Sequence, residues 1–285
     1  MALPKILALI MIVSTMLSAG LEVDRQHLVD TLKNVRLLGW ALLANFVLVP
    51  LFAYLLVRGF HVDTDVSIGI LLMAMAPGVP FLVNSAGRKQ GGSLAFALEI
   101  AFLFSALSVI TIPITAELLL PPDALAGVPA VSFLTTLVGF QLIPLIAGAL
   151  IATKLGALTI EKAVKILHFV FLAAVLGFVI VAFPKLISSV ASVYGFGHLL
   201  IILCIGVFAA AAGWFLGGPD RAYRRTLSIA TLMRNIGLCT LIATSGFADT
   251  LVAPTVIAYF AVTFVLSLPI RMYFKRTKDS APAAA

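Results

Sequence analysis

Nine apolar stretches, each about 17 to 25 residues long, divide this chain, and a helix of that length crosses a hydrocarbon core of roughly 30 Å. They run Lys5–Leu21, Leu37–Leu56, Val66–Ala86, Leu94–Leu118, Ala130–Ala152, Val164–Ile187, His198–Leu216, Thr226–Thr244 and Leu251–Tyr273. Inside a bilayer no water pairs with a stray backbone group, so only helices and closed barrels span it. Barrel strands would be half as long and would alternate apolar with polar residues, which leaves helices as the expected element. With 62% of residues apolar and 11% charged, the predicted class is an all-α integral membrane protein of about nine transmembrane helices. The connections are short. The expected organisation is therefore one transmembrane domain over residues 1–274 and a disordered cytoplasmic tail over 275–285, where Lys, Asp, Ser and Pro leave little to bury.

The cations set the expected orientation. Of the 19 Lys and Arg residues, Lys5, Arg58 and Lys185 fall on one side, Arg234 falls inside a stretch, and the other fifteen fall on the opposite side. The crowded side is expected to be cytoplasmic. That places the N-terminus outside and the C-terminus inside, in the plasma membrane, or the inner membrane of a bacterium. Topology thus accounts for the net charge of +7, and no nucleic-acid partner is implied. Lys5 and Ser18-Ala19-Gly20 also look like a secretory signal. Cleavage there would invert every later loop and put the fifteen cations on the wrong face, so a retained helix is expected.

Laying the first four stretches over the last four leaves the fifth without a counterpart and pairs the third with the eighth, running in opposite directions. That is the pattern of an inverted repeat, over residues 1–120 and 130–274, as secondary transporters are commonly built. The third stretch contains Pro77-Gly78-Val79-Pro80, which no unbroken helix accommodates, because each proline removes a donor and crowds the preceding turn. Pro77 lies about 16 Å in from Val66, and Arg234 about 13 Å in from Arg225, at 1.5 Å per residue. Both irregular features share one depth, near the midplane. A cation there costs roughly 2.5 to 3.5 kcal/mol on insertion scales and marks a protein interior or a water-filled cavity. The expected substrate site is formed by Pro77, Gly78, Val79, Pro80, Asn84 and Ser85 facing Met233, Arg234 and Asn235. Half-helix N-termini and Arg234 together favour an anion there.

These segments resemble the bile acid:sodium symporter family. Ser228-Ile229-Ala230-Thr231-Leu232-Met233-Arg234-Asn235-Ile236-Gly237-Leu238 is similar to that family's Ser-Ile-Glu-x-Gly-x-Gln-Asn-x-Gly-Leu. Pro77-Gly78 with Arg88 and Gly91 resembles its Pro-Gly-Gly-x-x-Ser-Asn element and trailing Ala-Arg-Gly. Asn45-Phe46-Val47-Leu48-Val49-Pro50-Leu51 resembles Gln-Phe-x-x-Met-Pro-Leu, and Met16-Leu17-Ser18-Ala19-Gly20-Leu21 resembles Phe-x-Met-Gly-Leu. The resemblance implies a core domain with two crossed broken helices, a panel domain, and one helix fewer than the ten of many bacterial members. It also adds Asn45 to the expected substrate site.

The departures bear on coupling. The family's sodium-binding glutamate falls on Ala230 and its glutamine on Arg234; the Ser-Asn pair falls on Leu82 and Val83, and two hydroxyl ligands fall on Phe96 and Ile100. Sodium needs clustered oxygens, usually with a carboxylate. The resemblance, so altered, implies no Na+ at the usual positions, no metal and no cofactor. Two sodium ions beside one carboxylate carry +1, and alanine with arginine carries the same +1, so Arg234 is expected to stand in for the ions.

Glu99 admits three readings: an ion pair with Arg234, a proton-coupling (H+) carboxylate, or a carboxylate at the cytoplasmic interface. Cys204, Cys239, His27, His61, His168 and His198 have no metal-ligand spacing and read as packing, solvated or capping groups. No nucleophile elbow, metalloprotease pair or phosphate loop occurs at usable spacing, so no enzyme is expected. The expected function is secondary transport of a small organic anion across the lipid bilayer by alternating access. Proton coupling, exchange, a channel and a non-transporting sensor are the alternatives.

Overall fold

A long apolar segment buries its backbone polar groups only by coiling on itself, and the described residues fold into helices with no named strand. The computed structural model describes residues 3–78, 91–122, 124, 130–192, 196–247 and 250–278, with the backbone alone at 25–27, 130–133, 182–192, 196 and 278. The elements are α1 (Leu3–Glu22), α2 (Arg25–Lys33), α3 (Val35–Leu42), α4 (Val49–Gly59), α5 (Thr64–Met75), α6 (Leu94–Leu119), α7 (Ala130–Leu137), α8 (Ile143–Ala152), α9 (Ala157–Ser192), α10 (Phe196–Leu216), α11 (Arg221–Leu232), α12 (Ile236–Gly246) and α13 (Val252–Lys278). Among the described residues seven helices are long and apolar enough to cross a membrane, counting α3–α4 and α7–α8 as continuous rods; α5 and α12 are shorter apolar helices. Large apolar side chains such as Ile110, Leu118, Phe169 and Phe215 stand exposed around the outside, as a lipid-facing surface requires. The chain is a multi-pass membrane protein.

Two groups of helices pack separately. In one, α1 lies against α8 and α9. In the other, α10 lies against α11 and α13, α5 against α4 and α13, and α12 against α13. The α6 helix touches both groups, and α1 meets α12 across the seam between them. Small residues permit the closest approaches, as is usual where no hydrophobic force drives membrane helices together. A Cβ on Gly20 of α1 would stand 2.1 Å from the Leu145 carbonyl oxygen, and one on Gly148 of α8 would stand 2.4 Å from that of Leu17.

The rods α3–α4 and α7–α8 each contain a π-helical turn, Leu43–Leu48 and Val138–Leu142. Each turn ends just before a proline. Val49 N–H donates to the Ala44 carbonyl and Ile143 N–H to that of Val138, five residues back; the next residue, Pro50 or Pro144, has no N–H to offer. The Asn45 carbonyl is thereby left free for a partner outside its helix. The matching strings Phe46-Val47-Leu48-Val49-Pro50-Leu51 and Phe140-Gln141-Leu142-Ile143-Pro144-Leu145 are the sequence trace of this shared device.

The eighth stretch is broken, as the resemblance implied, into α11 and α12 on either side of Met233–Asn235. Two expectations change. The tail is not irregular from residue 275, because α13 continues to Lys278; the rest of 279–285 lies outside the described residues. The short connection after α1 contains a helix of its own, α2, joining the first helix group to the second.

Candidate functional site

The site is the place where two interrupted helices cross. The α5 helix stops at Met75, Ala76 turns extended, and Gly78 takes φ +61°, a left-handed conformation that only glycine adopts without strain. The α11 helix stops at Leu232, and Met233 turns extended likewise. Pro77 and Arg234 then pair as an isolated antiparallel bridge, with Asn235 N–H donating to the Ala76 carbonyl at 3.0 Å. Backbone groups freed by one break are thus paired by the other, which is how irregular backbone persists at this depth. Asn235 also caps α12, its Oδ1 accepting from Leu238 N–H at 3.1 Å. Cys239, expected to be mere packing, donates its thiol to the Leu72 carbonyl in the last turn of α5 at 3.3 Å. Gly237 sits against α1, where a Cβ would meet Ile12 N at 3.1 Å. Of the expected substrate residues, Pro77, Gly78, Met233, Arg234 and Asn235 meet at this crossing. Val79, Pro80, Asn84 and Ser85 lie outside the described residues, as do Leu82, Val83 and Arg88.

Arg234 is the largest fully buried side chain, at 0% exposure. Its guanidinium turns into the second helix group, where Nη1 makes a long contact of 3.5 Å with the freed Asn45 carbonyl. Nε and Nη2 have no hydrogen-bond partner among the described residues. The Tyr259 hydroxyl of α13 stands beside the guanidinium but in no hydrogen bond of good geometry, and it too is fully buried. Asn45 joins the same cluster, its Nδ2 donating to the Ala41 carbonyl and to Thr231 Oγ1, both at 3.0 Å, while Oδ1 is unpartnered. Cavities of about 580 and 120 Å³ do occur near the start of α3 and of α11, but Arg234 lines neither.

Three of the positions implied for sodium oxygens are brought together, and these three are apolar. Ala230, Phe96 and Ile100 pack with Leu37, Ala41, Ala97, Phe104 and Leu227 in one buried cluster. Phe46 closes over it, edge-on to Phe104 at 5.5 Å between ring centres. Among the described residues no group of three His, Cys, Asp or Glu side chains is placed to hold a metal ion.

Glu99 does not pair with Arg234. Although nearly buried, its carboxylate accepts from the Thr31 hydroxyl of α2 at 2.8 Å, and no ion pair joins it to Arg234 among the described residues. It belongs to the second turn of α6, capped by Ser93, and lines the 120 Å³ cavity with Asp30, Asn34, Ser93 and Tyr223. Equal depth says nothing about azimuth, and α6 presents Glu99 to α2 instead of the crossing. Glu99→Gln keeps an acceptor for Thr31, so the α2–α6 contact is expected to survive. Thermal unfolding of the purified variant checks this; a clear loss of stability means that the carboxylate charge itself holds the contact.

His168 is likewise not a solvated cap: its Nε2 and Ser18 Oγ lie 2.9 Å apart, tying α9 to α1, with Glu22 Oε2 at 3.9 Å.

Broken helices that cross in a bundle, each supplying the backbone partners the other lacks, define a multi-pass membrane protein of the kind that carries solutes. The sodium bile acid symporter family model matches residues 9–193, and the chain belongs to that family. It is a family of transporters. The uncharacterized sodium-dependent transporter YocS of Bacillus subtilis (strain 168) is 23% identical over 232 residues, 79% of this chain and 69% of that protein. The P3 proteins of Homo sapiens and Bos taurus are 25% and 26% identical, over 76% of this chain and 46% of theirs. The chain thus spans about half the length of those two relatives.

Proposed function

We propose that this chain is a secondary transporter that moves a small organic anion by alternating access and needs no sodium to do so. The observation that carries the reading is the filling of the ion positions. Ala230, Phe96 and Ile100 sit in a packed apolar cluster, and Arg234 places a permanent cation at the crossing beside them. Sodium bound there would exchange water for alkyl and aromatic groups, which offer it no oxygen. The arginine supplies the same net positive charge from a covalently fixed group. A relative whose name carries sodium dependence differs in this respect from the proposal made for this chain.

In this reading α1 with α7–α9 forms a panel and the helices around the crossing form a core. The two rock against each other across the α1–α12 seam, where Gly237 lets the half-helix approach α1. The two halves, residues 1–120 and 130–274, form an inverted repeat, with the N-terminus outside and the C-terminus in the cytoplasm, and the substrate residues are those at the crossing together with Asn45, Asn84 and Ser85. The sign of Arg234 and of the α12 N-terminus selects an anion.

Uptake of labelled pyruvate or cholate into proteoliposomes, measured in sodium and in choline medium, tests the proposal. Equal initial rates are expected. A steep, saturable sodium requirement overturns sodium independence, and counterflow of labelled substrate separates a carrier from a channel.

A further inference from the structure

The cavity of about 580 Å³ lies apart from the crossing, between the start of α3, the end of α10 and the start of α11. Its apolar walls include Trp40 and Phe215, which stand 40% and 75% exposed on the surface that meets acyl chains. Two arginines, Arg36 and Arg224, line it as well. Trp40 follows Arg36 by four residues, so ring and cation share one face of α3. Tryptophan beside arginine at a helix end is the pattern of the headgroup level of a bilayer.

The two arginines are held differently. Arg36 is exposed and makes no hydrogen bond or ion pair among the described residues. Arg224 is positioned by the turn between α10 and α11, where Gly218 takes φ +78° and a Cβ on Gly217 would stand 2.5 Å from Arg224 Cα. Its Nε donates to the Gly218 carbonyl at 2.5 Å, and its Cζ lies 5.9 Å from the centre of the Trp214 ring. The head is thus fixed, while Nη1 and Nη2 make no hydrogen bond among the described residues. Asp220 also lines the cavity, but its Oδ1 is committed to capping α11, accepting from Ala222 N–H at 2.7 Å. Asn34 caps α3 in the same way. With both helix ends capped by side chains, anion affinity in the cavity rests on the arginines.

We propose that this cavity holds an anionic phospholipid, its phosphodiester between Arg36 and Arg224 and an acyl chain along Trp40 and Phe215. Basic pockets between membrane helices take phosphate-bearing headgroups in this way. The apolar walls distinguish a lipid from free phosphate, which would leave both rings uncovered. Phosphatidylcholine carries the same phosphodiester, but it brings its own cation beside the two arginines. A lipid seated there bridges the ends of α3, α10 and α11, and neither Arg234 nor Asn45 lines the cavity, so this site stands or falls independently of the transport reading.

The test uses the full chain, stripped of lipid in detergent. Thermal stabilisation is followed against dioleoylphosphatidylglycerol, dioleoylphosphatidylcholine and inorganic phosphate at matched ionic strength. The unsubstituted protein is compared with Arg36→Gln, with Arg36→Gln combined with Arg224→Gln, and with Lys154→Gln combined with Lys162→Gln. The last pair removes two exposed cations from the other helix group. Phosphatidylglycerol is expected to stabilise the unsubstituted protein at concentrations where phosphatidylcholine and phosphate do not. The double arginine variant raises its half-saturating concentration roughly tenfold or more, as loss of two cations facing an anionic headgroup implies. The lysine pair leaves it unchanged. Equal response to the two lipids overturns the proposal, as does an equal loss in the lysine pair, which marks diffuse surface attraction. Phosphate that stabilises as well as phosphatidylglycerol makes the cavity a site for free anions and overturns the lipid. Should the double variant fail to fold, Arg36→Gln decides the matter, since Arg36 has no partner to lose and a rise of roughly a few fold is expected. An unchanged response in Arg36→Gln then overturns the proposal.

Discussion

Arg234→Met is expected to abolish uptake and at the same time to make the protein more stable. The two effects have opposite signs because the guanidinium is fully buried and makes a single long hydrogen bond, while two of its donors are unpaired among the described residues. Desolvating such a charge is expensive, and one long contact offsets little of it. Methionine is unbranched and of similar length, so it fills the space between the π-helical turn of the α3–α4 rod and α13 without a polar head to satisfy. Replacing buried ionic groups by apolar ones of similar volume commonly stabilises by about 1 to 4 kcal/mol. The substitution is therefore expected to raise the temperature at which the purified protein loses its fold, by an amount corresponding to a few kcal/mol. Transport should fall to background, since neither the fixed charge nor the donors would face an anion. Thermal unfolding and uptake measured on one preparation check both halves. A variant that is less stable and inactive makes Arg234 a structural residue, and one that still transports removes it from the site altogether. The contrast with Arg234→Lys is informative here, because lysine keeps the charge and methionine does not.

Gly20→Val is expected to prevent the first helix group from assembling. An added Cβ at residue 20 would already stand 2.1 Å from the Leu145 carbonyl oxygen and 2.8 Å from Ala149 N, both backbone atoms that cannot rotate away. The reciprocal contact at Gly148 closes the same gap from the other side. Forcing α1 and α8 apart to admit valine breaks contacts along the whole of α1, including the Ser18–His168 contact to α9 and the seating of α12 at Gly237. Overpacking usually costs about 1 to 3 kcal/mol. A backbone collision in a helix pair held by small residues should exceed that range, so little folded protein is expected. Gly20→Ala should show a graded version of the loss. Gly39→Ala and Gly139→Ala are matched controls, since a Cβ there meets nothing within 4 Å. Yield of monodisperse protein after size-exclusion chromatography separates the three classes. Normal yield from Gly20→Val means that α1 and α8 do not approach as closely as described.

The irregular parts of the chain were the most legible. Pro77-Gly78-Val79-Pro80 forbids a helix by covalent geometry, and the rise per residue alone placed that break at the depth of Arg234. Their direct pairing, Pro77 with Arg234, follows that arithmetic closely. The break at Met233–Asn235 was less apparent locally, because nothing in that string forbids a helix; it lies opposite the proline break and uses the backbone groups that break sets free. The π-helical turns were also unforeseen, although Pro50 and Pro144, each ending a Phe-x-Leu-x-Pro-Leu string, were a usable signal.

Glu99 shows where such arithmetic stops. Residue counting gives depth along the membrane normal but not rotation about a helix axis. Two charges at one level looked like a pair, yet α6 turns Glu99 toward Thr31 while Arg234 turns toward Asn45 and α13. Rotation is decided by side-chain packing between helices that are far apart in sequence. The same holds for Ala230, Phe96 and Ile100: each is visibly a non-ligand by itself, but only folding reveals that they touch and exclude water together.

The sequence by itself determined that this is a membrane-embedded helical protein and that its third span must break. Those properties depend on hydrocarbon solubility, backbone hydrogen bonding and proline geometry, all of which act locally along the chain. Only the tertiary structure decided that Arg234 is enclosed, that Tyr259 lies beside it, and that Ala230, Phe96 and Ile100 share one packed apolar cluster. These depend on which helix faces meet, and in a bilayer that choice is made by shape complementarity at glycines and freed carbonyls, since apolar faces are no better solvated by one another than by lipid.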